Sequence, residues 1–126
     1  MGVLTWLTRN WADTDKGEDS RLRPLDLPLS LAEALAKVEN AVRGLPLWEI
    51  VAVDVANATI RALRRTRLFR FVDDITVRCE PVAEKQTRVH ARSQARLGKG
   101  DFGQNRRNLL QLWAVLRDAT AQGSPA

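Results

Sequence analysis

The most constraining feature of the chain is the alternation in residues 87–97, where small or apolar side chains take turns with charged or polar ones. One set consists of Val89, Ala91, Ser93, Ala95 and Leu97, and the other of Arg88, His90, Arg92, Gln94 and Arg96. Successive side chains on a strand point to opposite faces of its sheet. The pattern therefore predicts a strand with one face toward a core, and that face needs a second layer to cover it.

Three segments upstream also have strand character. Residues 48–55 alternate and are rich in β-branched side chains, and residues 59–69 and 74–82 follow as further strands. Short turns at residues 56–58 and 84–86 separate the segments, and strands joined by short turns are antiparallel neighbours. These segments and residues 87–97 are therefore predicted to form a four-stranded antiparallel run.

A first helix is predicted in residues 31–43, where apolar side chains recur at helical spacing. Ser30 and Glu33 have the spacing of a capping box, in which each side chain bonds to the backbone of the other residue. Gly44 followed by Pro46 is typical of the end of a helix. The helix is therefore bounded at both ends by local sequence.

A second helix is predicted in residues 102–120, after the glycines at 98, 100 and 103. Asp101 and Gln104 have capping-box spacing at its start. Its apolar stripe consists of Leu109, Leu112, Trp113 and Leu116. This stripe is expected to face the sheet.

The order of these elements predicts the fold class. In residues 21–30, leucines alternate while Pro24 and Pro28 remove two backbone donors, which favours an edge strand. The complete order is strand, helix, four antiparallel strands, helix, which is an α+β two-layer sandwich. This order is similar to the TATA-binding-protein-like or helix-grip arrangement, which also occurs in lipid-transfer and polyketide-cyclase-like domains.

The chain has 126 residues, enough for one two-layer core and too few for two independent ones. We expect residues 1–20 to be an N-terminal tail and a solvated acidic linker, residues 21–120 to be a single domain, and residues 121–126 to be a disordered tail. Trp6 and Trp11 in the N-terminal part are expected to dock on the domain, on a partner or at a membrane interface, where Trp is favoured.

Three polar blocks lie among these elements. They read Phe69-Arg70-Phe71-Val72-Asp73-Asp74, Arg92-Ser93-Gln94-Ala95-Arg96-Leu97-Gly98 and Asp101-Phe102-Gly103-Gln104-Asn105-Arg106-Arg107. They resemble the signature of the bacterial and plastid family known as domain-of-unknown-function family 1499, which carries a Phe-Val-Asp-Asp block, an Arg-Ser-x-Ser/Ala-Arg-x-Gly block and an Asp-x-Gly-x-Asn-x-Arg block. The resemblance implies that the family's role depends on these positions, for shape or for chemistry.

The blocks supply the candidate site residues Asp73, Asp74, Arg92, Ser93, Arg96, Asp101, Asn105 and Arg106. Adjacent strand residues point to opposite faces, so the two neighbouring aspartates are not expected to form an acid–base dyad. Arg92 and Arg96 share a face about 13 Å apart, which favours two separate ion pairs. Two interpretations stay open: the cluster lines a pocket mouth between the sheet and the last helix, or it fixes that helix to the sheet.

Residues that usually carry catalysis or bind metals are sparse. The one histidine, His90, lies in the middle of the last strand, and the one cysteine, Cys79, alternates with apolar residues as a buried strand thiol would. No second histidine or cysteine provides metal-ligand spacing, and no Gly-x-Ser-x-Gly nucleophile motif is present. We therefore expect no cofactor, and a binding function in preference to catalysis.

The net charge of +5 is unevenly distributed, because residues 61–107 carry 13 basic and 5 acidic side chains. Arginine-rich segments of this kind favour internal ion pairs, a solvated face or an anionic partner. No aromatic side chain lies between the arginines on the predicted exposed face, which disfavours nucleic acid. A single cysteine and the lack of a membrane-length apolar stretch favour a cytoplasmic protein, with membrane-peripheral attachment left open.

Two functions fit these observations. The first is a small binding module that holds an apolar or amphipathic small molecule between the sheet and the last helix, with the polar cluster at its mouth. The second is a protein or membrane-surface adaptor that uses Trp6, Trp11 and the arginine-rich residues 61–70. A cavity of roughly 300 Å³ or more beneath the last helix would favour the first. A filled interior would make Trp113 a core residue.

Overall fold

In the residues that the structure describes, the strands form one antiparallel sheet and two helices cover one face of it. The computed structural model describes residues 9–17, 19–65, 71–97 and 103–122. Within those residues the elements are β1 (Trp11–Asp13), β2 (Leu25–Leu27), α1 (Leu31–Gly44), β3 (Trp48–Asp54), β4 (Thr59–Arg65), β5 (Val72–Ala83), β6 (Gln86–Ala95) and α2 (Gln104–Gln122). The predicted α+β two-layer class and the antiparallel run from β3 to β6 are confirmed.

Strand β6 joins the N-terminal strands to the rest of the sheet. One of its edges pairs with β5, and the other pairs with β1 and β2 one after the other. Trp11 lies opposite Gln94, and Leu25 lies opposite Val89. The edge strand predicted in residues 21–30 is therefore present as the short strand β2.

The prediction of a solvated linker from residue 12 onward was wrong for its first residues, which belong to β1. Ala12 is fully buried opposite Ser93. Thr14 follows on, and its backbone N–H donates to the Ala91 carbonyl at 2.9 Å while its Oγ1 accepts from the Ala91 N–H at 2.9 Å. Three residues are too few to show an alternating pattern, so this strand is defined by its partner β6 and not by its own sequence.

Helix α1 begins with the predicted capping box. The Glu33 N–H donates to Ser30 Oγ at 3.2 Å, and the Ser30 N–H donates to Glu33 Oε1 at 3.0 Å. Lys85, in the turn between β5 and β6, donates to the same Glu33 oxygen at 2.9 Å. The Ser30 backbone bond and the Lys85 bond lower the pKa of Glu33 to about 2. The start of α1 is thereby tied to the turn between β5 and β6.

The space between the helices and the sheet is filled along its middle. The side chains there are fully buried, with 0% of their surface exposed: Val38, Val42, Ile60, Val77, Val89, Leu109, Leu112, Trp113 and Leu116. None of these side chains has surface that a water molecule can reach, so none of them lines a cavity. The predicted apolar stripe of α2 is confirmed, and Trp113 is a core residue.

The outer face of the sheet is charged, as the alternation in β6 predicts. Val89, Ala91 and Ser93 are buried, and the residues between them lie on the face away from the helices. Cys79 on β5 is buried in the core, and this burial raises the pKa of its thiol to about 11. Such a thiol packs as a small apolar side chain and is a poor nucleophile at neutral pH.

Some predicted features lie outside the described residues. Strand β4 is described as far as Arg65, so the predicted continuation through residues 66–69 falls outside. Asp101 of the second predicted capping box also falls outside, and helix α2 is described from Gln104.

Candidate ligand-binding site

The polar blocks converge on one end of the sheet, which we call the motif end. It is the end where β3 and β5 begin and where β4 and β6 finish, next to the first turns of α2. The opposite end, with the turns after β3 and β5 and the start of α1, is called the closed end. The two ends differ in how their polar groups are paired.

Asp73 and Asp74 point to opposite faces, as predicted. Asp73 is 4% exposed on the inner face, where its Oδ2 accepts from Asn108 Nδ2 at 2.8 Å. Asp74 lies on the outer face, where its carboxylate forms two hydrogen bonds with the Arg96 guanidinium at 2.8 and 2.9 Å. One motif therefore serves two separate environments.

Asp73 belongs to an inner network that also contains Ser93, Asn105 and Asn108, all fully buried or nearly so. Ser93 Oγ donates to Asn105 Oδ1 at 2.6 Å and accepts from Asn108 Nδ2 at 3.1 Å. Asn105 Nδ2 donates to the Asn10 carbonyl at 3.0 Å. Since these bonds join α2, β5, β6 and the residue before β1, the inner network fixes the start of α2 to the sheet.

The predicted arginine pairs are present on the outer face. The Asp74 contact raises the pKa of Arg96, but both side chains are about half exposed, so solvent screens the pair. Arg92 contacts Asp13 at 3.2 Å and donates to Gln94 at 2.7 Å. The two arginines therefore have different carboxylate partners, as their spacing predicts.

Arg106 forms an ion pair with the segment before β2. Arg106 Nε donates to Asp19 Oδ2 at 2.6 Å, and both side chains are less than one-fifth exposed. Asp19 lies in the segment predicted to be a linker, so this ion pair attaches that segment to α2. Asp101 lies outside the described residues.

Among the described residues, two buried donors at the motif end have no acceptor. Trp48 on β3 lies directly opposite Arg64 on β4, and Arg64 lies directly opposite Asp73 on β5. Trp48 is 8% exposed, and both its Nε1 and the Nε of Arg64 are buried without a hydrogen-bond partner in the described part of the chain. Buried donors are usually bonded, so two neighbouring exceptions indicate a place for an acceptor from outside the chain.

Exposed apolar side chains surround this end. Leu47 precedes β3, Phe71 precedes β5 and Leu97 follows β6, and they are 37%, 53% and 75% exposed. Leu47 also has a backbone φ of 74°, which a residue with a side chain rarely adopts. We call these three residues the apolar rim.

A groove of about 270 Å³ lies on the outer face, lined in part by Asp15, Arg78 and His90. His90 Nδ1 lies 2.7 Å from Asp15 Oδ1, and its Nε2 lies 2.8 Å from Glu80 Oε1. Arg78 lies 3.6 Å from the same Asp15 carboxylate. Because these polar side chains bind one another, the groove offers an incoming ligand fewer unpaired groups than the motif end does.

Two further observations concern the described residues. They contain no group of three or more His, Cys, Asp or Glu side chains placed to bind a metal ion. Neither described helix has the length and apolar character needed to cross a membrane.

Sequence reasoning missed several residues of this region. Asn108 follows Asn105 by less than one helical turn and faces the same strands, a spacing that could have indicated it. Trp48 and Arg64 gave no signal, because their importance depends on the pairing of β3 with β4 and on the lack of an acceptor. Partnering of this kind is a property of the folded chain.

A family model described as "Protein of unknown function (DUF1499)" matches residues 8–116. The chain belongs to this family. The resemblance found in the three polar blocks is confirmed, and the match includes β1 and β2 as well as the blocks. No curated protein matches the DUF1499 chain.

Solved structures are similar to the DUF1499 chain in fold. One is the di-domain ARO/CYC StfQ from the steffimycin biosynthetic pathway, with a TM-score of 0.57 and 11% identity over 79% of this chain and 44% of StfQ. The chain thus spans less than half of that protein. Another is TTHA0849 from Thermus thermophilus, with a TM-score of 0.47 and 17% identity over 81% of this chain and 97% of the other. The likeness to StfQ is one of fold, and it confirms the predicted helix-grip-like order of the elements.

Proposed function

We propose that this DUF1499 domain is a non-catalytic binding module that holds an amphipathic small molecule at the motif end. The observation that carries the proposal is the combination of unpartnered polar donors with an exposed apolar rim at one end of the sheet. Ligand sites combine apolar surface with a few placed polar groups in this way. Elsewhere between the layers, the fully buried side chains of the described residues leave no comparable opening.

The packed interior restricts where the ligand lies. The sequence alone predicts a ligand held along the last helix, over Leu109, Leu112 and Trp113. No water-sized sphere reaches those side chains, so a ligand there would have to displace α2 from the sheet. At the motif end the rim side chains are exposed, so an apolar chain can lie across them. The two donor atoms are buried, so the head group reaches them only when the side chains that cover them move.

The experiment is a calorimetric titration with two molecules of equal chain length, decan-1-ol and decanoic acid. We expect saturable one-to-one binding of at least one of them. Phe71→Asp should weaken this binding by about tenfold or more, because it removes apolar contact area and adds a charge. Val55→Asp is the matched control, because Val55 is an exposed apolar residue at the closed end. If neither molecule binds the wild-type protein, the proposal is wrong.

The adaptor function stays an alternative prediction. Trp6 lies outside the described residues. The centre of the Trp11 ring lies 4.5 Å from the guanidinium carbon of Arg9 and 5.0 Å from that of Arg92. The apolar rim could also enter a bilayer. Two results together would favour the adaptor over the small-molecule module. The wild-type protein would sediment with lipid vesicles while Phe71→Asp would not, and neither decyl molecule would bind in solution.

A further inference from the structure

We infer that the head group of the ligand is a carboxylate, bound between the indole N–H of Trp48 and the guanidinium of Arg64. This inference rests on the proposed function and names the chemical class of the ligand: a monomeric carboxylic acid with an apolar chain. The two donors and the apolar rim correspond to the two parts of such a molecule.

The position of the donors supports a shared acceptor. Residues directly opposite each other on antiparallel strands have Cβ atoms roughly 5 Å apart and point to the same face, so Trp48 and Arg64 are side by side. Their buried nitrogens, Nε1 and Nε, are both donors with no acceptor among the described residues. Leaving a buried donor unpaired is unfavourable, and an acceptor oxygen between the two would satisfy both.

The charge of Arg64 favours an anionic acceptor. Arg64 forms no ion pair with any carboxylate in the ranges that the structure describes, whereas its neighbour Arg65 lies 3.7 Å from Glu49 on the outer face. A guanidinium binds carboxylates with two parallel hydrogen bonds, which are stronger than bonds between neutral groups. A neutral hydroxyl could accept one of these hydrogen bonds but would bring no negative charge to the guanidinium.

Asp73 determines the side from which the acid approaches. Its carboxylate is opposite Arg64 on β5 and would repel a second carboxylate. Asn108 binds Asp73 from the side of α2. The head group therefore lies on the β3 side of Arg64, next to Trp48, and the chain of the ligand extends toward Leu47 in the apolar rim.

The test compares the affinities of decanoic acid and decan-1-ol at neutral pH, where the acid is ionised. The wild-type protein should bind the acid about tenfold or more tightly than the alcohol, as expected for hydrogen bonds to a charged group. Arg64→Met should remove this preference by lowering the affinity for the acid to about that for the alcohol. Arg65→Met is the matched control, because it removes the adjacent arginine from the other face, and it should keep the preference.

Three results would overturn the inference. Equal affinity of the wild-type protein for acid and alcohol would exclude a carboxylate site while leaving the binding module intact. A preference for the acid that survives Arg64→Met would exclude Arg64 as the residue that binds the head group. Binding of neither molecule would overturn the inference and the proposed function together. Trp48→Phe provides a second variant, and it should reduce acid binding more than alcohol binding.

Discussion

Two tryptophans show how the interior of the domain differs from its motif end. Trp113 lies in the filled interior, where its Nε1 donates to the Arg23 carbonyl at 2.7 Å. Trp48 is almost as deeply buried, yet its Nε1 has no acceptor in the described residues. The fold pairs the polar group of Trp113, whereas that of Trp48 would be paired by the proposed ligand. Local departures from good pairing are expected at functional sites.

The closed end shows the same thorough pairing as the interior. Glu33 binds Ser30 and Lys85 there, and Asp26 forms two hydrogen bonds with Arg88, which lower the pKa of Asp26. The motif end instead combines a bonded inner network with two donors that have no acceptor in the described part of the chain. The difference separates residues that stabilise the fold from residues available to a ligand.

The largest effect should come from the interior. Trp113→Ala removes a fully buried ring and its hydrogen bond, and we expect it to lower the free energy of unfolding by about 3–5 kcal/mol. Urea denaturation measures this loss. A loss below about 1 kcal/mol would mean that the interior is loosely packed, and the distinction between the two regions would fail.

Replacing the buried Asp73 should destabilise the fold more than replacing the half-exposed Asp74. Asp73→Ala removes a buried acceptor of the Asn108 amide and should cost about 2–3 kcal/mol in urea denaturation. Asp74→Ala breaks an exposed ion pair and should cost less than about 1 kcal/mol. Equal losses would show that the inner network contributes no more than the surface pair does.

A smaller effect distinguishes the tryptophans themselves. Trp113→Phe leaves the Arg23 carbonyl without its donor and should cost about 1 kcal/mol more than Trp48→Phe, which removes a donor that had no acceptor. Both variants keep an aromatic ring, so most of the packing change is shared. Thermal unfolding without ligand tests the difference, and a reversed order would show that Trp48 already has a partner.

The smallest effect concerns pH at the closed end. Because the pKa of Glu33 falls from 4.5 to about 2 on folding, its contribution is present above pH 4.5 and is lost as the pH falls toward 2. The wild-type protein should be more stable than Glu33→Gln near neutral pH. This difference in the free energy of unfolding, the stability gap, should disappear as the pH falls from 4.5 toward 2. The group is exposed, so added salt should reduce the gap. A gap that is independent of pH would mean that the capping box acts without the charge of Glu33.

The sequence predicts much of the fold because its signals are local. The alternation of β6, the stripe of α2 and the Ser30–Glu33 box need only a few neighbouring residues, and all three are present. Strand β1 was missed because its three residues depend on β6 for their conformation.

The candidate site was predicted only in part for a similar reason. The motif residues Asp73, Ser93 and Asn105 do meet, since their faces follow from strand and helix geometry. The unpaired state of Trp48 and Arg64 depends on which acceptors lie nearby after folding. No local pattern contains that information.

The most direct test of the account follows the indole N–H signals of Trp48 and Trp113 by ¹H–¹⁵N NMR during titration with decanoic acid. If the acid binds at the motif end, the Trp48 signal shifts and exchanges more slowly with solvent as its Nε1–H gains an acceptor. The Trp113 signal, already bonded to Arg23, stays in place. A shift of Trp113 with none at Trp48 would place the ligand beneath α2 and contradict the account.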